Sequence, residues 1–201
     1  FEQVTTIKSS QMGGTANRLL IQNHKLWVVQ TISRRVVSLD LRDQEYRIVD
    51  VIKPVDNLGK PIRPYDFAIA NNAYLVATGS NGTIQAYVPG INNTAQLAGE
   101  AKLAYLIENG DMSADRIKLV GQTLYVAAQE GDVQLFNLTD WLQGDFTREP
   151  KLDYYYAVMG NVTELEVQPH AIYAATAFMW VGDAQYENPI DRSLHSSNRI
   201  G

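Results

Sequence analysis

The chain repeats one pattern four times, and this repeat limits the fold more than any other feature of its 201 residues. Four stretches align without gaps over a pair of apolar runs, at 20–28, 68–76, 118–126 and 166–174. The two runs of each pair are divided by a turn: Asn23-His24, Asn71-Asn72, Gly121-Gln122 and Pro169-His170. Because Asn and Gly tolerate positive φ and Pro restricts φ, such pairs are typical of tight turns between strands. The repeat therefore predicts four β-hairpins about 48 residues apart.

Each of the first three repeats continues with two more apolar runs. They predict a third strand at 36–41, 83–88 and 133–138, and a fourth at 46–53, 101–108 and 152–159. No window keeps a helical apolar stripe for three turns, apart from a short stretch at 138–143. Four strands in about 48 residues are typical of one blade of a β-propeller. The sequence thus predicts an all-β propeller with four-stranded blades.

The third repeat also carries a family resemblance, in the stretch 124–138. This stretch reads LYVAAQEGDVQLFNL, two apolar strands joined by an acidic-glycine turn. It resembles the repeats of WD40-like and LVIVD-type bacterial β-propellers, and the likeness in blade pattern extends over essentially the whole chain. The Gly-His and Trp-Asp dipeptides of true WD40 blades are missing, which indicates a divergent propeller. The resemblance implies a fold and not an activity, because propellers include binding scaffolds and enzymes alike.

The phase of the repeat bears on the number of blades. It predicts an outer strand at 1–9, blades at 15–54, 64–108 and 114–159, and a partial blade at 162–201. We favour a larger ring of six to eight blades, completed by a companion chain or a missing segment, because an unpaired sheet edge is a liability that closure removes. In the alternative, the strand at 1–9 completes the last blade of a closed four-bladed propeller.

Composition excludes several kinds of chemistry. Cysteine is absent, so there are no disulfides, thiolate metal sites or cysteine nucleophile. A net charge of −5 argues against a nucleic-acid partner, since phosphate binding needs a basic surface. No apolar run is long enough for a membrane-spanning helix, and neither nucleotide-binding glycine motifs nor a Gly-x-Ser-x-Gly elbow occur.

We expect an extracytoplasmic protein, periplasmic or secreted.

One charged residue precedes the apolar core of the first strand in every repeat: Arg18, Asp66, Arg116 and Glu164. The resemblance to propellers implies that these positions line the mouth of the central channel, with opposite charges alternating around it. One interpretation is a polar site in which the guanidiniums bind carboxylate or phosphate; the other is a girdle of ion pairs between blades. The neighbouring Tyr65 and Asp115 would supplement either interpretation.

A long connection in the last repeat is the second candidate region. In propellers the loops entering the first strands and those joining the second and third strands share one face. The connection between the second and third strands is short in three repeats but runs through 179–198 in the fourth. Long loops in compact domains are usually functional or disordered, so this loop is either a binding flap or a mobile excursion. Its candidate binding residues are Trp180, Asp183, Tyr186, Glu187, Asp191 and His195.

Metal and cofactor sites are weakly indicated. Asn109, Asp111 and Asp115 offer calcium ligands in one loop, but without the spacing of a dedicated calcium loop. His24 and His170 occupy equivalent turns on the face opposite His195, which argues against a zinc site. The sequence therefore predicts no metal and no cofactor.

These observations favour a non-catalytic scaffold that binds a protein or carbohydrate partner through its loop-rich face. The alternative is a propeller enzyme, a hydrolase or lyase, with its site at the channel mouth. That enzyme would act with Asp66, Arg116, Glu164, Tyr186 and His195.

Overall fold

The computed structural model describes residues 7–79, 82–104, 113–128, 132–158 and 161–177. Within these residues the chain forms three four-stranded antiparallel sheets and one two-stranded sheet, each with its strands in chain order. Sheet 1 consists of β1 (Arg18–Gln22), β2 (Lys25–Gln30), β3 (Arg35–Asp40) and β4 (Ile48–Ile52). Sheet 2 consists of β5 (Pro64–Ala70), β6 (Ala73–Thr78), β7 (Thr83–Val88) and β8 (Gln96–Lys102).

The third and fourth repeats form the remaining two sheets. Sheet 3 consists of β9 (Ala114–Val120), β10 (Thr123–Ala128), β11 (Asp132–Asn137) and β12 (Lys151–Ala157), and sheet 4 of β13 (Asn161–Gln168) and β14 (Ala171–Ala177). Two short helices, α1 (Ser9–Met12) and α2 (Thr139–Leu142), and a 3-10 turn (Ile91–Asn93) complete the described elements. The helix α2 lies within the short stretch that the sequence singled out, whereas α1 was not predicted.

The hairpin turns form where the repeat predicts them. Asn23 and His24 adopt φ values of 54° and 60°, and Asn71 and Gly121 adopt 49° and 60°. These left-handed conformations suit Asn and Gly, and let each pair reverse the chain within two residues. The first hairpin of each repeat is therefore confirmed.

The fourth strand of the second repeat was predicted wrongly. The apolar run at 101–108 suggested a strand there, but β8 spans Gln96–Lys102 and Leu103 and Ala104 are not in a strand; residues 105–108 lie outside the described residues. The third strand explains the difference, because β7 begins at Thr83, which pairs with Lys102. Beyond that pair, the Leu103 N–H still donates to the Gly82 carbonyl at 2.8 Å, but Leu103 is no longer in a strand.

The predicted outer strand at 1–9 is also corrected in the part that the structure describes. Ile7 and Lys8 are not in a strand, and Ser9 begins α1; residues 1–6 lie outside the described residues. Ile7 packs instead against the apolar face of sheet 1 formed by Val28 and Leu39.

Each sheet packs its apolar face against the next one. Between sheets 1 and 2, the rings of Trp27 and Phe67 stack with centroids 4.8 Å apart. Sheets 2 and 3 share a cluster that includes Leu75 and Phe136, and sheet 4 contacts sheet 3 through Leu165. Full burial of each such side chain contributes about 1.5–3 kcal/mol, so these three contact zones hold the sheets together.

Two buried glutamines occupy equivalent positions in the third strands of sheets 2 and 3. Gln85 Nε2 donates to the Val55 carbonyl at 2.6 Å. Gln134 accepts from the Ala104 N–H at 2.9 Å and donates to the Ala104 carbonyl at 2.8 Å. Because buried polar groups must find partners, each glutamine holds in place the connection that enters its own sheet.

Candidate functional site

The first strands of all four sheets converge on one central pocket of about 350 Å³. Its lining includes the four charged residues that the repeat singled out: Arg18, Asp66, Arg116 and Glu164. They come from β1, β5, β9 and β13, so the repeat register places them together as predicted. Tyr65 and Asp115 do not line this pocket.

The carboxylate of Glu164 lies between the two guanidiniums. Its Oε2 is 2.7 Å from Arg18 Nη2 and 3.8 Å from Arg116 Nε. The strand β13 has a register shift between Val162 and Glu164, and bulges of this kind redirect the side chains around them. The side chain of Glu164 is 59% exposed, so this charge cluster opens to solvent.

The carboxylate of Asp66, which is half-buried, binds the backbone. Its Oδ1 accepts the Phe67 N–H at 2.9 Å, and its Oδ2 accepts the Ile117 N–H at 3.0 Å. The second bond joins β5 to β9, so Asp66 connects sheets 2 and 3. Burial raises the pKa of Asp66 to about 6, although the two N–H bonds and the charge of Arg18 oppose the shift.

A further ion pair in the pocket was not predicted from the sequence. Lys118 Nζ lies 2.9 Å from Glu166 Oε2, joining β9 to β13. The two residues are equivalent in the repeat and follow Arg116 and Glu164 by two positions, on the same side of each strand. The repeat register therefore contained the signal for this pair, two positions after the charged residues that the sequence indicated.

Asp115 and Tyr65 have local structural partners. Ser113 Oγ donates to Asp115 Oδ1 at 2.6 Å; burial raises the pKa of Asp115, and this hydrogen bond opposes the rise. The ring of Tyr65 lies against Gly79, where an added Cβ would be 2.0 Å from the ring. Glycine at this position is what lets the ring approach the backbone.

A smaller groove of about 280 Å³ lies beside Tyr65, between a turn of sheet 1 and the loop that enters sheet 2. We call it the loop-face groove, and its lining includes Arg34, Asp56, Lys60, Arg63, Tyr65 and Gly79. The sequence indicated only Tyr65, because the cations come from separate turns that share no repeat position.

Several predicted residues cannot be placed. Trp180, Asp183, Tyr186, Glu187, Asp191 and His195 lie outside the described residues, as do Asn109 and Asp111. In the part of the chain that the structure describes, no group of three or more His, Asp or Glu residues could hold a metal ion. Within the same ranges, no helix has the length and apolar character needed to span a membrane.

Comparison with known proteins identifies the fold. No protein-family model matches the chain, and no curated protein matches it in sequence. Among solved structures, a Lactobacillus plantarum protein superposes with a TM-score of 0.63 and 13% identity over 80% of this chain. The periplasmic gluconolactonase PpgL of Pseudomonas aeruginosa superposes with a TM-score of 0.61 and 13% identity over 81% of this chain. BamB of Moraxella catarrhalis superposes with a TM-score of 0.50 and 15% identity over 81% of this chain. The fold is a β-propeller.

This propeller chain spans 48%, 47% and 40% of those three structures, respectively. At such low identity the likeness extends to the fold alone. The number of blades in the complete ring, a companion chain or segment that would complete it, and the WD40-like or LVIVD-type subtype stay predictions.

Proposed function

We propose that this propeller is a non-catalytic module that binds a protein or carbohydrate partner through its loop-rich face, outside the cytoplasm. The observation that carries the proposal is the pairing of charges in the central pocket. Glu164 faces both guanidiniums, and each oxygen of Asp66 already accepts a backbone N–H.

Paired charges of this kind suit structure better than catalysis. A general base must reach the proton that it abstracts, and an activated nucleophile needs a free base beside it. The bond from Ile117 turns Asp66 toward the neighbouring strand, and the carboxylate of Glu164 already faces both arginines that could bind an anion. The pocket thus joins β1, β5, β9 and β13, which leaves the loops as the part of the propeller available to a partner.

An enzyme acting at the channel mouth is the second candidate, and one observation favours it. Asp66 is a carboxyl with a pKa raised to about 6, in a pocket large enough for a small ligand. A hydrolase or lyase would use this group with Arg116 and Glu164. Tyr186 and His195, the other residues of that hypothesis, lie outside the described residues.

The extracytoplasmic location is supported by one structural neighbour, which is named as a periplasmic enzyme. A secretion assay with the chain fused to a reporter that is active only outside the cytoplasm tests this part separately.

The binding function is tested by screening the full chain against a glycan array and a random peptide library, with a panel of hydrolase and lyase substrates assayed in parallel. We expect retention of a partner, no turnover, and equal retention by wild type and Asp66→Asn. Arg116→Ala serves as a second variant, in case Asp66→Asn does not fold. Turnover that disappears in either folded variant would contradict the proposal and support the enzyme.

A further inference from the structure

We infer that the loop-face groove is the partner site, and that its ligand is an acidic peptide segment with aliphatic side chains from another protein. This inference rests on the proposed binding function and narrows it to one place and one class of ligand.

The loop-face groove is formed by two turns whose hydrogen bonds fix their shape. Arg34, in the turn between β2 and β3, donates from Nη1 to the Pro61 carbonyl at 3.2 Å and so joins sheet 1 to the loop before β5. That loop is closed by Asp56, whose Oδ1 accepts the N–H groups of Leu58 and Lys60 at 2.9 and 2.8 Å. Its base is the ring of Tyr65 against Gly79.

The charge of the groove is positive, in a chain whose net charge is −5. Arg34, Lys60 and Arg63 are all exposed, and none of them makes an ion pair with another described residue. The one acid among the lining residues, Asp56, directs an oxygen to its own turn. By contrast, Arg18, Arg116 and Lys118 in the central pocket all face carboxylates.

Two exposed aliphatic side chains extend from the same two turns. Ile32 is 77% exposed and lies two positions before Arg34; Leu58 is 86% exposed and lies two positions before Lys60. Apolar side chains interleaved with cations, next to an aromatic ring, match a peptide that alternates carboxylates with aliphatic groups. A neutral sugar would leave the three cations without counter-charges, so the observations favour the peptide.

The test uses the full chain and a random peptide library. We expect the retained peptides to be enriched in Asp, Glu and aliphatic residues. In fluorescence-polarisation titrations with such a peptide, the double variant Lys60→Glu/Arg63→Glu should bind about tenfold or more weakly than wild type. Raising the salt concentration should weaken the wild-type complex as well, because exposed charges are screened.

A matched control is available on other parts of the surface. Lys102→Glu/Lys151→Glu makes the same change of charge at two exposed lysines of β8 and β12, and should leave the affinity within about twofold of wild type. Equal loss in both double variants would show a general charge effect and overturn the groove as the site.

The inference and the proposed function fail in different ways. Retained peptides without acidic enrichment, or binding of sugars only, would overturn the acidic-peptide site and leave a binding module. The acidic-peptide site would also be overturned if acidic peptides bound the Lys60→Glu/Arg63→Glu variant as tightly as wild type. If the chain retains neither peptide nor sugar but turns over a substrate, the proposed function itself is wrong.

Discussion

Arg18 of β1 and Glu164 of β13 meet in the central pocket, with Nη2 and Oε2 2.7 Å apart. The two residues belong to the first and fourth sheets and are 146 positions apart in the chain. Arg116 of sheet 3 faces the same carboxylate at 3.8 Å, so one acidic side chain links three sheets.

We predict a small but measurable coupling between Arg18 and Glu164. Their side chains are 29% and 59% exposed, and ion pairs at such positions contribute about 0.2–1 kcal/mol. Urea unfolding of Arg18→Ala, Glu164→Ala and the double variant should give a favourable interaction free energy in this range. Strictly additive effects of the two substitutions would show that the pair does not stabilise the ring.

Asp66 should make the folded protein less stable as the pH rises from about 4 to about 6. The pKa of Asp66 in the folded protein is about 6, above the ordinary aspartate value of 3.8. In this window the folded state therefore keeps a proton that the unfolded state has lost, and the free energy of unfolding falls by roughly 2 kcal/mol as the pH rises. Above pH 6 this contribution stays constant.

The pH effect is measured by thermal unfolding of wild type and Asp66→Asn at several pH values. The difference between the two proteins should change only between about pH 4 and 6. Carbon NMR of the Asp66 carboxyl gives an independent value, with an expected midpoint near 6. A midpoint below 4 would contradict the burial of this charge.

Gly79→Ala should destabilise the protein by about 1–3 kcal/mol, because the new methyl group would overlap the ring of Tyr65. Gly121→Ala is not an equal control, since Gly121 has φ of 60°. The better control removes the ring itself. In the Tyr65→Ala variant, the additional change Gly79→Ala should lower the free energy of unfolding only slightly. Calorimetry of the four proteins checks this, and an equal cost in both backgrounds would place the strain elsewhere.

Gln134→Leu should cost about 1–2 kcal/mol of unfolding free energy, since it leaves the half-buried N–H and carbonyl of Ala104 without Gln134 as their partner. Gln96→Leu is a matched control at an exposed position of β8 and should change stability by less than about 0.5 kcal/mol. Chemical unfolding measures both variants. A cost for Gln134→Leu no larger than that of the control would refute the anchoring role.

The sequence contained enough to predict the sheets, because the turn residues and alternating apolar runs recur at a fixed period. Strand ends were less predictable, because they depend on how two strands pair. The end of β8 is determined by its pairing with Thr83 and not by the apolar run that follows Lys102. Because pairing involves two segments, the apolar pattern of one segment alone predicted this strand too far along the chain.

The two candidate sites differ in how far the sequence could reveal them. Arg18, Asp66, Arg116 and Glu164 share a repeat position, and the repeat therefore predicted that they meet. The bond from the Ile117 N–H to Asp66 had no such signal, because any residue could supply that backbone group. The loop-face groove had no repeat signal either, because Arg34 and Arg63 come from turns of different lengths that occupy different positions in the repeat.

We infer that the ion pairs of the pocket stabilise the packing of the sheets while the partner binds on the loop-rich face. The most direct test is the affinity of Arg116→Ala for a retained partner, with the melting temperature measured on the same sample. We predict an affinity within about twofold of wild type and a melting temperature lower by a few degrees, about 2–4 °C for each kcal/mol lost. A melting temperature equal to that of wild type together with an affinity reduced about tenfold or more would contradict the claim.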